Sequence, residues 1–148
     1  MEVMLVNLRL LGLISPNGRD LSQLKKYSET IARATGTVIP PNYPVVGRDA
    51  FRTATGVHAA AIAKAQKRND PRLADAIYSG VPARLFGLEQ VIEIGAMSGR
   101  SNVVYWLEKR GISANDDLVE RILAAAKQSD RILTEEEILA LVPSSARR

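Results

Sequence analysis

The first segment of the chain is apolar on almost every side of a helix. Residues 2–12 have helical spacing, and their apolar members are Val3, Met4, Leu5, Val6, Leu8, Leu10 and Leu11. A helix that is apolar all round is usually buried on every side. We therefore expect other elements to cover both of its faces, as in an element detached from a larger structure.

Most of the remaining chain has the apolar spacing of short helices, and Gly36 and Gly111 are predicted helix stops. Helices are predicted to begin near Asp20 or Ser22, near Gly56, at Asn69 or Asp70, after Ser101, near Asp116 and at Thr134, with a short one from Asp49 to Phe51. The prolines of residues 40–44 predict an extended linker, and residues 89–95 are the one candidate strand. The expected fold is mainly α, with small helical subdomains over residues 1–39 and 40–148 and at most one or two short strands.

Composition excludes several classes of function. The chain has 148 residues, a net charge of +4 and no cysteine, so disulfides and thiolate chemistry are absent. Basic and acidic residues alternate and aromatic residues are few, which argues against a nucleic-acid partner. No apolar run is long enough for a membrane span, and no secretory signal is evident. We expect a cytoplasmic protein with no metal site among its own residues.

His58 is the only histidine of the chain and the first candidate for proton transfer near neutral pH. It follows Gly56 closely, and residues 59–61 are alanines that leave space around the ring. A helix start disfavours a protonated imidazole, which would keep the ring able to accept a proton. The alternative is a core histidine whose ring is hydrogen-bonded to a backbone carbonyl.

Two further places are candidates for a site. Tyr78 ends the helix after the one that carries His58, and an antiparallel turn would bring its phenol back to stabilise an oxyanion or orient the imidazole. The turn that contains Ser98, Gly99 and Arg100 leads into a helix, an arrangement that can bind an anion. The alternatives are a tyrosine at a helix edge and an ordinary tight turn with a capping serine.

Three motifs in this order resemble the carboxyl-terminal region of the 2-isopropylmalate, homocitrate and citramalate synthases. They are Val46-Gly-Arg-Asp-Ala-Phe51 leading to Thr55-Gly-Val-His58, then Tyr78 before Pro82 and Gly87, and finally Ile94-Gly-Ala-Met-Ser-Gly-Arg100. The resemblance covers about residues 2–111. Within it, the first helix resembles the last helix of a (β/α)8 barrel, the rest of which is not part of this chain.

The resemblance implies a leading hypothesis about function. In that family, the barrel binds a divalent metal, acetyl-CoA and a 2-oxo acid, and the helical subdomains reach the active site of the partner subunit in a dimer. By motif, His58 and Tyr78 are the residues implicated in deprotonating the acetyl-CoA methyl group, and Ser98, Gly99 and Arg100 would contact substrate. We expect a part of a 2-isopropylmalate synthase of leucine biosynthesis, inactive without its barrel, whether the barrel is on the same or a separate chain.

Other functions stay open at this point. A homocitrate or citramalate synthase would fit the same motifs. A helical module that acts through dimerisation, without chemistry, would explain the apolar first helix equally well. The sequence does not decide which 2-oxo acid is used.

Overall fold

The computed structural model describes residues 1–15, 19–68 and 70–143. In these ranges the chain forms seven α-helices, one 3-10 helix and two short strands. They belong to two compact units. Unit 1 combines Met1–Phe51 with Tyr78–Gln90, and unit 2 combines Arg52–Ile77 with the described residues from Val91 onward. The expected mainly helical fold is confirmed, and the expected division at residue 39 stays a prediction.

Unit 1 is built from α1 (Glu2–Leu10), α2 (Leu24–Thr35) and a 3-10 helix (Ala83–Phe86). Its buried core draws on both segments of the unit and consists of Val6, Leu21, Leu24, Val45, Val46 and Phe86. Among the described residues of α1 only Val6 is buried, so the described chain does not itself cover both faces of this helix. Met4 and Leu10 are 58% and 41% exposed, and Leu11, just beyond the helix, is 71% exposed.

The start of α2 differs from the prediction. Asp20 accepts hydrogen bonds from the backbone N–H of Ser22 and from its hydroxyl, both at 2.8 Å. This local turn occupies the carboxylate that was expected to cap the helix, and α2 begins at Leu24 instead. The predicted stop is confirmed, because Gly36 has the left-handed φ of +69° that favours glycine at a helix end.

The segment predicted to be an extended linker is instead a series of turns within unit 1. The backbone N–H of Tyr43 donates to the carbonyl of Pro40 at 3.0 Å, and that of Asp49 donates to Pro41 at 2.8 Å. Val45 and Val46 are buried in the core, so the burial of apolar side chains outweighs the extended preference of the prolines. The short helix expected from Asp49 to Phe51 is also wrong, since these residues form turns.

Unit 2 contains a two-stranded parallel ladder and five helices. Strands β1 (Arg52–Thr53) and β2 (Val91–Ile92) pair with Arg52 opposite Val91. The helices are α3 (Gly56–Lys67), α4 (Pro71–Ala76), α5 (Arg100–Lys109), α6 (Asp116–Gln128) and α7 (Glu135–Ala140). Helix α3 packs against both α4 and α5, and α5 packs against α6. The main core joins α5, α6 and α7 through Leu107, Leu118, Ile122 and Ile138 among others.

The helix signals of unit 2 are largely confirmed, because local capping chemistry fixes them. Asp70 caps α4 by accepting from Leu73 N–H at 2.9 Å, while the alternative cap, Asn69, lies outside the described residues. Gly111 ends α5 with a φ of +69°. Helix α4 turns Ala74 and Asp75 inward, since both are buried, while Leu73 is 39% exposed. Helix α4 also ends at Ala76, before Tyr78.

The strand prediction was correct in place but too long. Only Val91 and Ile92 of the predicted residues 89–95 are in a strand, and the partner strand at residues 52–53 was not predicted. Two residues are too few to show an alternating pattern. No helix among the described residues combines the length and the apolarity that a membrane crossing needs.

A carboxylate at the start of α7 makes the stability of the folded chain depend on pH in the acid range. Glu137 accepts from Arg131 Nη2 at 2.6 Å and from Thr134 N–H at 2.8 Å. The guanidinium and then the backbone donor lower the pKa of Glu137 from 4.5 to about 2. A carboxylate whose pKa is lower in the folded state stabilises that state above its unfolded pKa, and this contribution is lost as the pH falls through the folded value.

We therefore predict that the thermal midpoint of the wild-type chain falls between about pH 5 and about pH 2, and that Glu137→Gln has a shallower fall. The replacement removes the carboxylate whose protonation is responsible. Thermal unfolding followed by circular dichroism at several pH values measures this. Glu136→Gln removes the same charge one residue away and is the control. Equal slopes for Glu137→Gln and the wild type would contradict the assignment.

Candidate functional site

His58 is the third residue of α3 and is half-buried. The helix begins at Gly56 without a side-chain cap from Thr55. Ala59, the next residue, is fully buried in a small cluster with Ile62 and Ile92. The backbone on the carboxyl side of His58 is therefore anchored by packing, and the half-buried imidazole belongs to the first turn of the helix.

The turn of residues 95–99 lies directly against the start of α3. The N–H of Gly56 donates to the carbonyl of Met97 at 3.1 Å. A Cβ atom on Gly56 would lie 3.0 Å from the nitrogen of Gly99, which is closer than side chains ordinarily approach a backbone atom. Glycine at position 56 thus allows two backbone segments to touch, a recognised use of this residue. The structure brings the His58 segment and the predicted anion-binding turn together.

Ser98 has a structural task in that turn. Its side chain is 2% exposed, and its hydroxyl donates to the carbonyl of Ala54 at 2.7 Å while accepting from the N–H of Gly95 at 2.9 Å. These bonds satisfy two backbone groups on different segments of unit 2. The hydroxyl faces inward among backbone groups, so the proposed substrate contact of Ser98 stays a prediction.

Asn102 was not predicted from the sequence. Together with Ser98 it forms a buried polar centre beneath the turn of residues 95–99. It is fully buried, and its Nδ2 donates to the carbonyls of Ala54 at 3.1 Å and Glu93 at 2.9 Å. Its Oδ1 accepts from the N–H of Gly99 at 3.1 Å. One amide therefore joins the ends of β1 and β2 to the start of α5. The available signal was its place three residues after Gly99, where a polar side chain can reach back to a helix start.

Arg100 lies at the first position of α5 and is exposed. Its guanidinium is paired with the carboxylate of Asp116 and lies 3.6 Å from that of Glu120. A substrate anion would have to compete with these α6 carboxylates, which are themselves mostly exposed. Pairs of this exposure are worth only about 0–1 kcal/mol, so exchange for an anion is energetically accessible and the proposed role of Arg100 stays a prediction.

Tyr78 belongs to unit 1, whereas His58 belongs to unit 2. The phenol-bearing residue is 62% exposed and has a φ of +54°, in the left-handed region that residues other than glycine rarely adopt. Tyr78 was predicted to end α4, but the helix stops at Ala76, two residues earlier. Its role as an assistant to His58 stays a prediction.

Among the described residues, no group of three or more histidine, aspartate or glutamate side chains is arranged to hold a metal ion. The residues around His58 and the turn of residues 95–99 present backbone amides, a serine, an asparagine and glycines. Such groups suit the positioning of a proton-transfer residue better than the binding of a divalent cation, which favours clustered carboxylate or imidazole ligands.

Comparison with curated proteins identifies relatives over most of the chain. The homocitrate synthase of Pyrococcus horikoshii is 34% identical over 109 residues, which are 74% of this chain and 27% of that protein. Homocitrate synthase AksA of Methanopyrus kandleri is 31% identical over 86% of this chain and 30% of its own length. The 2-isopropylmalate synthase of Geobacillus stearothermophilus is 26% identical over 83% of this chain and 23% of its length.

The chain belongs to the family of homocitrate and 2-isopropylmalate synthases. No protein-family model matches it. It spans about a quarter to a third of the length of these relatives. The resemblance drawn from the three motifs is thereby confirmed at the level of the family.

For this member of the synthase family, we predict that Asn102→Ala lowers the free energy of unfolding by about 2–4 kcal/mol, because it removes three hydrogen bonds that a fully buried amide makes to the backbone of Ala54, Glu93 and Gly99. Urea denaturation measures the change. Asn115→Ala is the matched control: Asn115 caps α6 with one bond to Leu118 N–H, and its loss should cost about 1 kcal/mol. An equal or smaller loss for Asn102→Ala would contradict the role given to its amide.

Proposed function

We propose that this chain is part of an acyltransferase that condenses acetyl-CoA with a 2-oxo acid, and that His58 is its base. The observation that carries the proposal is the relation to homocitrate and 2-isopropylmalate synthases over 74–86% of the chain. The geometry adds support, because the only histidine lies in the first turn of a helix that touches the turn of residues 95–99.

The reaction needs a base and an acid. A base removes a proton from the methyl group of acetyl-CoA, and the resulting carbanion attacks the ketone carbon of the 2-oxo acid. The new alkoxide takes up a proton, and water then cleaves the thioester to release the CoA thiol and a 2-hydroxy acid. A neutral imidazole can accept the first proton, which is the role given to His58. Tyr78 is proposed to assist by hydrogen bonding.

The substrate-binding part of the proposal concerns the turn of residues 95–99. Gly99 and Arg100 stand at the start of α5, where the positive end of the helix dipole and a guanidinium favour an anion. Ser98 is proposed to shape this turn from beneath. A carboxylate of the 2-oxo acid or a phosphate of CoA has the charge that this end of the helix would accept.

The substrate itself is proposed as a dicarboxylic 2-oxo acid. Homocitrate synthases are the relatives above 30% identity described above, while the 2-isopropylmalate synthase stands at 26%. Homocitrate is the product of acetyl-CoA and 2-oxoglutarate, whereas 2-isopropylmalate requires the branched acid 3-methyl-2-oxobutanoate. The leucine-pathway hypothesis therefore becomes the second choice.

The remaining machinery is proposed to lie in residues that the described chain does not supply. The family resemblance points to a barrel that binds a divalent metal, on the same or a separate chain, and to a homodimer. Among the described residues no cluster is arranged to hold a metal ion, and the metal ligands are proposed to lie in the barrel. The chain alone is expected to be inactive.

We predict that His58→Ala lowers kcat at least about 100-fold, because a positioned general base contributes a rate factor of roughly this size or more. The test enzyme is Pyrococcus horikoshii homocitrate synthase in which this chain replaces the stretch that it matches. Release of the CoA thiol is followed with 2-oxoglutarate and, separately, with 3-methyl-2-oxobutanoate. The isolated 148-residue chain, assayed alongside, is expected to release no thiol.

Val57→Ala is the matched control for that experiment. Val57 is the neighbour of His58 in the same turn of α3 and is 66% exposed, so its truncation should leave kcat within about twofold, as is usual for surface substitutions. His58→Gln keeps a hydrogen-bonding side chain but no base, and it should be as slow as His58→Ala. Turnover by His58→Ala equal to that of the unsubstituted chimera would end the catalytic assignment.

A second candidate function is a helical interaction module without chemistry. The observation that favours it is the exposure of apolar side chains on and after α1, namely 58% for Met4, 71% for Leu11 and 70% for Leu13. Exposed apolar patches on soluble proteins often mark contact surfaces. This candidate does not use His58, which separates it from the synthase proposal.

The module hypothesis predicts that the isolated chain self-associates and that Leu11→Glu weakens the association at least about tenfold, because a charge would be buried in the contact. Sedimentation equilibrium measures the dissociation constant. Leu85→Glu places the same charge at another exposed apolar position of unit 1, 49% exposed, and should have no effect. A monomer at all accessible concentrations would contradict dimerisation through this helix.

A further inference from the structure

Lys127 lies in the last turn of α6 and reaches across to the turn of residues 95–99. Its Nζ donates to the carbonyl of Ala96 at 2.6 Å and to that of Ser98 at 2.9 Å. One ammonium thus binds two carbonyls of the same turn. Hydrogen bonds from a charged donor are shorter and stronger than neutral ones, so this lysine is a substantial restraint on a short loop.

The carbonyl of Met97, in the middle of the turn, binds a different partner. Met97 lies between Ala96 and Ser98, and its carbonyl accepts from the N–H of Gly56, the first residue of α3, at 3.1 Å. The three successive carbonyls of the turn are therefore bound alternately by α6, α3 and α6. The turn acts as a bridge between the end of one helix and the start of the other.

The turn and the start of α3 meet through backbone atoms at two glycines. The backbones of Gly56 and Gly99 are in direct contact, since a Cβ atom on Gly56 would lie 3.0 Å from the nitrogen and 3.3 Å from the Cα of Gly99. A displacement of the turn therefore passes straight to the first residue of α3. His58 follows two residues later on the same helical turn.

We propose that Lys127 is a positioning residue, which holds the turn of residues 95–99 against Gly56 and so fixes the direction in which His58 projects. The proposal rests on the proposed function only in that it makes His58 the residue worth positioning. The contacts themselves belong to unit 2. Lys127 does not touch the imidazole in the described contacts and is not assigned a catalytic step.

The test replaces the ammonium with an apolar group of similar length, Lys127→Met, in the 148-residue chain. Because the chain has one histidine, the ring resonances of His58 are assigned without ambiguity by nuclear magnetic resonance. We expect these resonances to shift or broaden. We also expect hydrogen exchange of the Gly56 amide to accelerate at least about tenfold, since its acceptor carbonyl is no longer held.

Two further variants make the result specific. Lys127→Arg keeps a charged donor and should recover most of the Gly56 protection and of the His58 spectrum. Lys64→Met makes the same chemical change at an exposed position of α3 and should leave both readouts unchanged. Wild-type Gly56 exchange and an unchanged His58 spectrum in Lys127→Met would overturn the proposal. Equal acceleration at the Leu107 amide, inside α5, would also overturn it, because that result indicates general loosening.

The kinetic readout uses the chimeric synthase. Lys127→Met is expected to lower kcat about tenfold with KM for acetyl-CoA within twofold, as expected when a reacting group is displaced while substrate binding is retained. Adding Lys127→Met to His58→Ala should cause no further loss. If His58→Ala alone leaves turnover intact, the proposed function fails, while the exchange and spectral results in the isolated chain still decide whether Lys127 positions His58.

Discussion

The arrangement of the candidate site depends on one buried amide. Asn102 is inaccessible to solvent and uses both ends of its side-chain amide, donating to Ala54 and Glu93 and accepting from Gly99. Strands of two residues have little ladder of their own, and a buried carbonyl without a partner is costly. The side chain supplies the partners that the short sheet lacks, and Ser98 adds a second bond to Ala54.

This polar centre explains why a turn rich in glycine adopts one conformation. Gly95 and Gly99 would leave a turn with many accessible conformations, yet their N–H groups are bound by Ser98 and Asn102 respectively. Lys127 binds the same turn from α6. The small residues permit close approach to Gly56, and the polar side chains select one conformation. The result is a helix start with a half-buried histidine on a restrained backbone.

Local signals in the sequence predicted the elements of this fold well. The starts of α4 and α7 and the ends of α2 and α5 were evident, because Asp70, Thr134, Gly36 and Gly111 act within one helical turn of their own positions. The prediction failed where distant segments decide. Phe86 packs with Val6, Leu24 and Val46 in one core, and no local pattern relates those positions. The two-residue strands and the turns of residues 40–51 were missed for the same reason, because contacts with distant segments determine them.

The site was predictable in its parts and less so in its assembly. His58 was identified because it is unique, and the turn of residues 95–99 because its glycines and serine suit a helix start. Asn102 and Lys127 were missed, since an asparagine and a lysine within helices usually face water. The place of Asn102 after Gly99 was a local signal, but the carbonyls that both side chains bind lie on distant segments. The placement of Tyr78 outside unit 2 depends on how the chain divides, which composition and periodicity do not report.

The central claim is that buried side chains hold the turn beside α3 in one conformation. Native-state hydrogen exchange of the wild-type chain tests it most directly, at the amides of Gly95 and Gly99. If the claim is right, both amides exchange about as slowly as the amides inside α5, because their acceptors are buried side chains. Exchange at the rate of an open, solvated loop would contradict it.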